Sequence, residues 1–148
     1  KISPFKHQNL FFSYLDYGDL ISVYTTDSRP LSSINNTDEI FLLTGIANSE
    51  PLISKLKEFA SGISHHQYPD HHPFSTKNIA KLASAYARAK SAVKFIITTE
   101  KDAQRLLIPE LKELLADLPV YYLPVMAKIH VPDEAWFNKI INNYVTKH

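Results

Sequence analysis

The sequence predicts an α/β fold in which a mostly parallel sheet is flanked by helices and preceded by a β-hairpin. The short continuous apolar run at residues 39–44 is typical of a strand that is buried on both faces of a sheet, and residues 92–98 (AVKFIIT) also predict a strand. Segments with apolar residues at helical spacing separate the strand candidates. Strands that alternate with helices in this way form βαβ units, which give a parallel sheet with helices packed on it.

The first part of the chain predicts the hairpin. Residues 9–26 are rich in β-branched and aromatic residues on both sides of a turn at Gly18, which favours strands over helix. Residues 28–38 are polar and resemble a loop. We therefore expect a hairpin linker segment at residues 1–38 and an α/β domain at residues 39–148.

The later elements follow in alternating order. Pro109 is expected to start a second helical segment or to kink the first, because proline lacks the N–H that a helix interior uses. The predicted elements after the strand at 39–44 are a helix at 52–60, a strand at 63–68, a helix capped by Ser75 or Thr76, the strand at 92–98, a helical stretch at 102–118, a strand at 120–125 and a helix at 133–145.

The composition excludes several classes of protein. With 45% hydrophobic and 21% charged residues, the chain is globular rather than disordered. A formal net charge of +1 provides no overall field that would recruit nucleic acid, so no nucleic-acid partner is expected. The absence of cysteine excludes a disulfide scaffold, thiolate zinc sites and cysteine nucleophiles.

The chain begins with Lys1 and its single methionine is Met126, so we expect a fragment of a longer protein. No apolar run in it approaches the ~18 residues of a membrane span, and no signal peptide is visible.

Three polar clusters each follow a strand candidate directly. They are residues 44–48 (TGIAN), residues 70–72 (DHH) and residues 98–102 (TTEKD). Ligands of open α/β sheets bind beyond the carboxyl ends of the strands. This common position favours a shared site, although it does not identify the reaction.

The first cluster has a structural explanation. Gly45 stands where the backbone must turn sharply, and Asn48 or Ser49 suits the cap of the next helix. Taken alone, the cluster is better explained by this turn than by ligand binding.

The second cluster belongs to a group of four histidines within eight positions, His65, His66, His71 and His72. Asp70 beside His71 can fix the tautomer of the imidazole and raise its basicity, as a general base requires. Zinc or manganese binding and a loop of surface histidines are equally open at this point.

The third cluster places a cation between two carboxylates. Glu100 and Asp102 near a helix start would offset the helix dipole, while Lys101 would bind a phosphate as a point charge. A G-x-x-x-x-G-K-[ST] phosphate loop is absent, three glycines leave no room for a Gly-rich cradle, and there is no G-x-S-x-G elbow.

In order and spacing, these clusters resemble the motifs of the tetraacyldisaccharide 4'-kinases (lipid A 4'-kinases). That family carries a Ser/Thr-Gly-Ile-(Ala/Gly)-Asn-Pro turn, then (Phe/Tyr)-x-Asp-His-His, then Thr-Thr-Glu-Lys-Asp-Ala. The matching segments here are TGIAN at 44–48, YPDHH at 68–72 and TTEKDA at 98–103; residues 120–125 resemble the last core strand, and residues 9–13 the segment joining the two domains. One departure is Ser49, which stands where the family has proline.

The resemblance implies the C-terminal domain of a P-loop-type kinase of lipid A (lipopolysaccharide) biosynthesis. Such an enzyme transfers the γ-phosphate of ATP to the 4'-hydroxyl of tetraacyldisaccharide 1-phosphate, with Mg²⁺, at the cytoplasmic face of the bacterial inner membrane. The implied partners are the N-terminal P-loop domain, the lipid A disaccharide precursor and the membrane surface. ATP and Mg²⁺ thus belong to the full-length enzyme, and this chain alone is expected to hold neither and to be inactive.

The resemblance also implies roles for individual residues. His71 is the expected catalytic residue; it meets a carboxylate of the other domain, and Asp70 orients it. No metal site is expected. The residues expected to contact substrate or phosphate are Gly45, Asn48, His72, Glu100, Lys101 and Asp102.

Two alternatives belong to other classes. Manganese phosphoesterases also carry an Asp-His-His triplet, but theirs follows directly on an apolar strand and further Asp motifs complete two metal sites. Here Tyr68 and Pro69 precede the triplet and no Asp-x-Asp lies upstream. A non-enzymatic α/β binding module is the third possibility, and it would be favoured if His71 proved dispensable for activity.

Overall fold

The computed structural model describes residues 2–146 of the chain. Its strands are β1 (Ser13–Tyr17), β2 (Leu20–Ser22), β3 (Ser28–Arg29), β4 (Glu39–Thr44), β5 (Gly62–Gln67), β6 (Lys94–Thr99), β7 (Val120–Leu123) and β8 (Val125–Ile129). Its α-helices are α1 (Glu50–Leu56), α2 (Thr76–Arg88), α3 (Glu100–Arg105), α4 (Pro109–Lys112) and α5 (Asp133–Val145).

The chain divides into two compact units. The larger unit is formed by residues 18–124, and the smaller by the residues up to 17 together with those from 125 onward. This division differs from the expected boundary at residue 38. Residues 18–38 join the larger unit because β2 and β3 pair into its sheet.

The sheet of the larger unit is mostly parallel, as the sequence predicts. Its strand order is β3-β2-β7-β6-β4-β5. The four neighbours β7, β6, β4 and β5 are parallel, whereas β2 runs antiparallel to β7 and to β3. The fold class is thereby confirmed: α/β, with helices flanking a mostly parallel sheet.

The core lies around β4 and β6, the two inner strands of the parallel part of the sheet. In β4, Ile40, Leu42 and Leu43 are inaccessible to solvent, and in β6 the same is true of Ile96 and Ile97. Both faces of these strands are therefore covered, which is why their sequences read as continuous apolar runs rather than as alternating patterns.

The predicted caps and breaks of the helices are found. Ser75 caps α2 in a capping box: its hydroxyl accepts from the Asn78 N–H, and the Asn78 side chain accepts from the Ser75 N–H. Pro109 starts a separate short helix after α3 has ended at Arg105.

The strands of the predicted hairpin form, but they have different partners. In the smaller unit β1 pairs antiparallel with β8, and in the larger unit β2 pairs with β3 and β7. The hairpin that precedes β4 thus consists of β2 and β3 and not of residues on either side of Gly18. The strand expected at 120–125 is also divided, because Pro124 lacks the N–H that would continue the ladder.

Within residues 2–146, the structure contains no helix whose length and apolar character would let it cross a bilayer.

Candidate active site

The three polar clusters meet at one edge of the sheet. Because β4, β5 and β6 are parallel and adjacent, the loops that follow them emerge on the same side. The His71 N–H donates to the Gly45 carbonyl at 3.2 Å, and Lys101 Nζ donates to Asp70 Oδ1 at 2.9 Å. The first and third clusters are therefore both in contact with the second.

Three side chains form an exposed group at this edge, which we call the surface trio: Asp70, His71 and Lys101. The ammonium of Lys101 lies 3.4 Å from His71 Nε2, and Asp70 Oδ2 lies 3.6 Å from the same nitrogen. The side chain of His71 is 75% exposed, against 37% for Asp70 and 43% for Lys101. All three can be reached by a ligand from solvent.

The charges of the trio suit a proton carrier. The hydrogen bond from Lys101 is the main cause that lowers the pKa of Asp70, so this carboxylate stays ionised. An ammonium only donates hydrogen bonds, so in its contact with Lys101 the Nε2 of a neutral His71 acts as acceptor and the proton resides on Nδ1. When Nε2 takes up a proton, the Asp70 carboxylate is close enough to stabilise the imidazolium.

The backbone at His71 has an uncommon conformation. Its φ is 60°, in the left-handed region, which residues other than glycine seldom adopt. The His71 N–H donates both to Asp70 Oδ1 at 2.9 Å and to the Gly45 carbonyl. These two bonds hold the loop in the form that projects the imidazole into solvent.

His72 lies in a different environment from its neighbour. Its ring stacks on Tyr68 with centroids 4.8 Å apart, and its Nε2 lies 3.1 Å from Oδ1 of Asn78, in the first turn of α2. This half-buried ring ties the loop to the helix, so the two adjacent histidines have separate structural settings.

Asp102 is buried and does not belong to the surface trio. Its side chain is fully buried, and its Oδ2 accepts from the Gly45 N–H at 2.8 Å and from the Thr99 hydroxyl at 2.9 Å. Its Oδ1 pairs with Arg105 Nη1 at 2.8 Å. Asp102 thus fastens the turn after β4 to the start of α3.

Asn48 and Glu100 are exposed at the starts of two helices. The Asn48 Oδ1 accepts from the Glu50 N–H at 3.0 Å, at the start of α1, where the N-cap Ser49 makes no side-chain bond. Glu100 opens α3, where its charge complements the helix dipole. Both side chains are accessible from the edge where the clusters meet.

An open depression of about 370 Å³ lies beside Asp70. Its lining is part apolar and part polar, which suits a ligand of mixed character. The lining residues are Ile46, Ala47, Gln67, Tyr68, Pro69 and Asp70.

The other two histidines of the group belong to β5 and not to the trio. His65 Nε2 lies 2.8 Å from the hydroxyl of Thr44, and burial lowers the pKa of His65, partly opposed by Glu50. Burial, with smaller contributions from Lys81 and His65, also lowers the pKa of His66. In the part of the chain that the structure describes, no three His, Asp or Glu side chains are grouped to hold a metal ion.

The sequence analysis missed Arg105. Its guanidinium contacts Asp102 and the carbonyls of Gly45 and His72. The signal was present: Arg105 stands three residues after Asp102 on one predicted helix, and residues three apart are neighbours on the helix surface.

Comparison with known proteins identifies one family. The family model described as tetraacyldisaccharide-1-P 4'-kinase matches residues 4–146. A tetraacyldisaccharide 4'-kinase of Bacteroides thetaiotaomicron is 35% identical over 100% of this chain and 41% of its own length. The kinase of the same name from Parabacteroides distasonis is 34% identical over 94% of this chain and 38% of its own. The chain therefore spans about 40% of the length of such relatives.

A solved structure shares the fold. The crystal structure of LpxK from Aquifex aeolicus in complex with ATP superimposes with a TM-score of 0.52 over 95% of this chain and 38% of that one. At 15% sequence identity, this similarity concerns the fold alone.

Proposed function

The chain belongs to the tetraacyldisaccharide-1-P 4'-kinase family, and we propose that it supplies the acceptor side of the active site of a lipid kinase. The proposed reaction transfers the γ-phosphate of ATP to the 4'-hydroxyl of tetraacyldisaccharide 1-phosphate in lipid A biosynthesis. The family match favours this function over a manganese phosphoesterase or a binding module. Since the acceptor is a lipid and the donor is ATP, we place the intact enzyme at the cytoplasmic face of the inner membrane.

The observation that carries the proposal is the surface trio at the carboxyl edge of the sheet. Phosphoryl transfer requires a group that orients the acceptor hydroxyl and handles its proton, and cations that offset the charge of the moving phosphoryl group. His71 Nε2 is exposed and can accept that proton when the acceptor hydroxyl replaces Lys101 as its hydrogen-bond donor, and the Asp70 carboxylate then stabilises the imidazolium that results. Lys101, whose Nζ lies 2.9 Å from Asp70 Oδ1 and 3.4 Å from His71 Nε2, supplies a cation beside the imidazole.

The nucleotide phosphates and Mg²⁺ are proposed to bind outside this chain. Gly45 is the glycine of the site, and its N–H already donates to Asp102 Oδ2 at 2.8 Å, so it is not free to bind a phosphate oxygen. Asp70 is engaged by Lys101, and Asp102 is buried. The described residues therefore do not fit a nucleotide cradle or a magnesium site. We propose that both sites lie in the part of the full-length kinase that this chain does not span. The carboxylate proposed to pair with His71 is placed in that same part.

The remaining candidate residues divide into two roles. Asn48 and Glu100 are exposed at the edge, and we propose that they contact the acceptor. Gly45, His72 and Asp102 bind other parts of the chain, and we propose that they act by holding the loops in place.

The test is His71→Ala in a protein that contains this chain together with the rest of the kinase. Loss of a positioned acid–base group is expected to lower kcat by about 10²–10⁴-fold. KM for ATP should change little, because the nucleotide is held elsewhere. Steady-state kinetics, with thermal melts to establish folding, measure both quantities.

His72→Ala is the matched control. Its ring stacks on Tyr68, so we expect some loss of stability and a clearly smaller loss of kcat. A larger loss at His72 would move the catalytic role by one residue. Full activity in both variants would refute the proposed role of the site.

A further inference from the structure

A partly buried ion pair follows Lys101 of the surface trio along α3. Asp102 is fully buried and Arg105 is 22% exposed, and their Oδ1 and Nη1 atoms are 2.8 Å apart. The other oxygen of Asp102 is held by the Gly45 N–H and the Thr99 hydroxyl. The carboxylate therefore fixes the position of the guanidinium.

Arg105 reaches two carbonyl groups close to the main chain of His71. Its Nη1 lies 3.4 Å from the carbonyl oxygen of His72 and 3.4 Å from that of Gly45. The same Gly45 carbonyl accepts the His71 N–H. Arg105 Nη1 thus contacts the carbonyl of His72, which follows His71, and the carbonyl of Gly45, which accepts the His71 N–H.

The position of the His71 imidazole depends on its backbone. With 75% of the side chain exposed, little protein surface packs against the ring to fix its direction. The backbone has a φ of 60°, a conformation that persists only where surrounding contacts determine it. Contacts from Gly45, Asp70 and Arg105 serve this purpose, together with the His72 N–H bond to the Pro69 carbonyl at 3.1 Å.

We propose that Arg105, held in place by Asp102, is a positioning residue that sets the main chain around His71 and thereby the location of Nε2. This inference rests on the proposed function, because positioning matters for the reaction only if His71 acts on the acceptor. Arg105 does not touch substrate in this proposal. Its effect on the rate is carried through the Gly45 and His72 carbonyls.

The experiment uses the paired variant Asp102→Asn/Arg105→Gln in the intact kinase. Changing both residues avoids leaving one buried charge without its partner, and Asn can still accept from the Gly45 N–H. The control is Arg88→Gln, which removes an exposed arginine at the last turn of α2. Hydrogen exchange by mass spectrometry on a peptide spanning residues 69–74 reports the His71 loop without reference to activity.

In the paired variant we expect faster hydrogen exchange in the 69–74 peptide and unchanged exchange in α2. The kcat should fall by about 10²-fold, the loss that follows when a reacting group is displaced by roughly 1 Å. KM for both substrates should stay within about twofold, because binding contacts are retained. In a His71→Ala background the paired variant should lower kcat little further, since residues that act as a unit are not additive. Arg88→Gln should match the wild type in every measurement.

Additive losses in the His71→Ala background, or unchanged loop exchange together with unchanged kcat, would overturn the inference. If His71→Ala alone leaves kcat intact, the proposed function fails, while the exchange result still decides whether Arg105 holds the loop. Should the paired variant not fold, Arg105→Lys keeps the charge but replaces the planar fork with a compact ammonium. We then expect faster loop exchange and about tenfold lower kcat, and wild-type values for both would refute the proposal.

Discussion

Gly45 occupies a position where an added side chain would make tight contacts. A Cβ atom there would lie 3.1 Å from Arg105 Nη1, 3.2 Å from Asp102 Oδ1 and 3.3 Å from Phe74 Cζ. The first two atoms belong to an ion pair and the third to a buried ring, so none of them can yield without loss of a contact. Close packing, rather than an unusual backbone angle, therefore favours glycine here.

Gly45→Ala is therefore expected to lower the free energy of unfolding by about 1–3 kcal/mol, the usual cost of overpacking. Urea denaturation followed by circular dichroism measures the change. Gly62→Ala is the matched control, because the nearest atom to its added Cβ is 3.7 Å away, an ordinary contact. Equal stability of the two variants would show that the turn after β4 is less tightly packed than the distances indicate.

Strand β5 shows how an element at the edge of the sheet can link pH to stability. It pairs with β4 on one side, and in the strand order it has no described partner on the other. It carries His65 and His66, and burial is the main cause that lowers the pKa of each. His65 is also joined to Thr44, the last residue of β4, at 2.8 Å.

The lowered pKa values predict a loss of stability in mild acid. In the unfolded chain a histidine titrates near its ordinary value of 6.5, whereas in the folded chain protonation requires a lower pH. Below about pH 6.5 the unfolded state therefore binds more protons, and the free energy of unfolding decreases as the pH falls toward the folded pKa values. Above pH 6.5 this contribution is fully present.

Denaturant titrations between pH 8 and pH 5 measure this dependence. The variant His65→Gln/His66→Gln should show a shallower decrease than the wild type, since its two positions no longer titrate. His7→Gln, at an exposed position, serves as the control and should keep the wild-type slope. A double variant that retains the full decrease would place the acid sensitivity elsewhere in the molecule.

At the scale of the whole molecule, the larger unit has the core expected of a folding domain. Residues from the sheet, α2 and the segment after α3 form one buried cluster that includes Phe41, Ile79, Leu106 and Leu115. The chain nevertheless spans about 40% of the length of its relatives. Folding of this chain and activity of the kinase are therefore separate expectations.

The isolated chain is expected to fold but not to bind Mg·ATP with micromolar affinity, because the described residues form no cradle for the phosphates. Isothermal titration calorimetry with Mg·ATP is the measurement, after circular dichroism has shown a cooperative thermal transition. The matched comparison is the intact kinase under the same conditions, which should bind. A micromolar dissociation constant for the isolated chain would place the nucleotide in this part of the protein.

The sequence by itself determined most strands and helices of the larger unit, and which loops meet at the carboxyl edge of the sheet. It missed β3, which forms at Ser28–Arg29 inside a stretch expected to be a loop. Local signals mark the strands and helices, and the predicted parallel order of the strands places the loops. Continuous apolar runs identify β4 and β6, Ser75 and Pro109 mark helix starts, and parallel topology brings the loops after neighbouring strands to one edge. The three motifs, read together, also resemble the family that the comparisons identify.

Only the tertiary structure decided which strands pair and which side chains are in contact. The pairing of β1 with β8 joins segments more than a hundred residues apart, and no local pattern specifies such a pair. Likewise, the sequence indicates that Asp102 follows a strand, but its burial against Gly45 and Arg105 follows from the packing of α3 against the sheet. His71 and His72 differ for the same reason. Which neighbour is exposed is set by backbone torsion and long-range contacts, because side chains of identical chemistry carry no signal that distinguishes them.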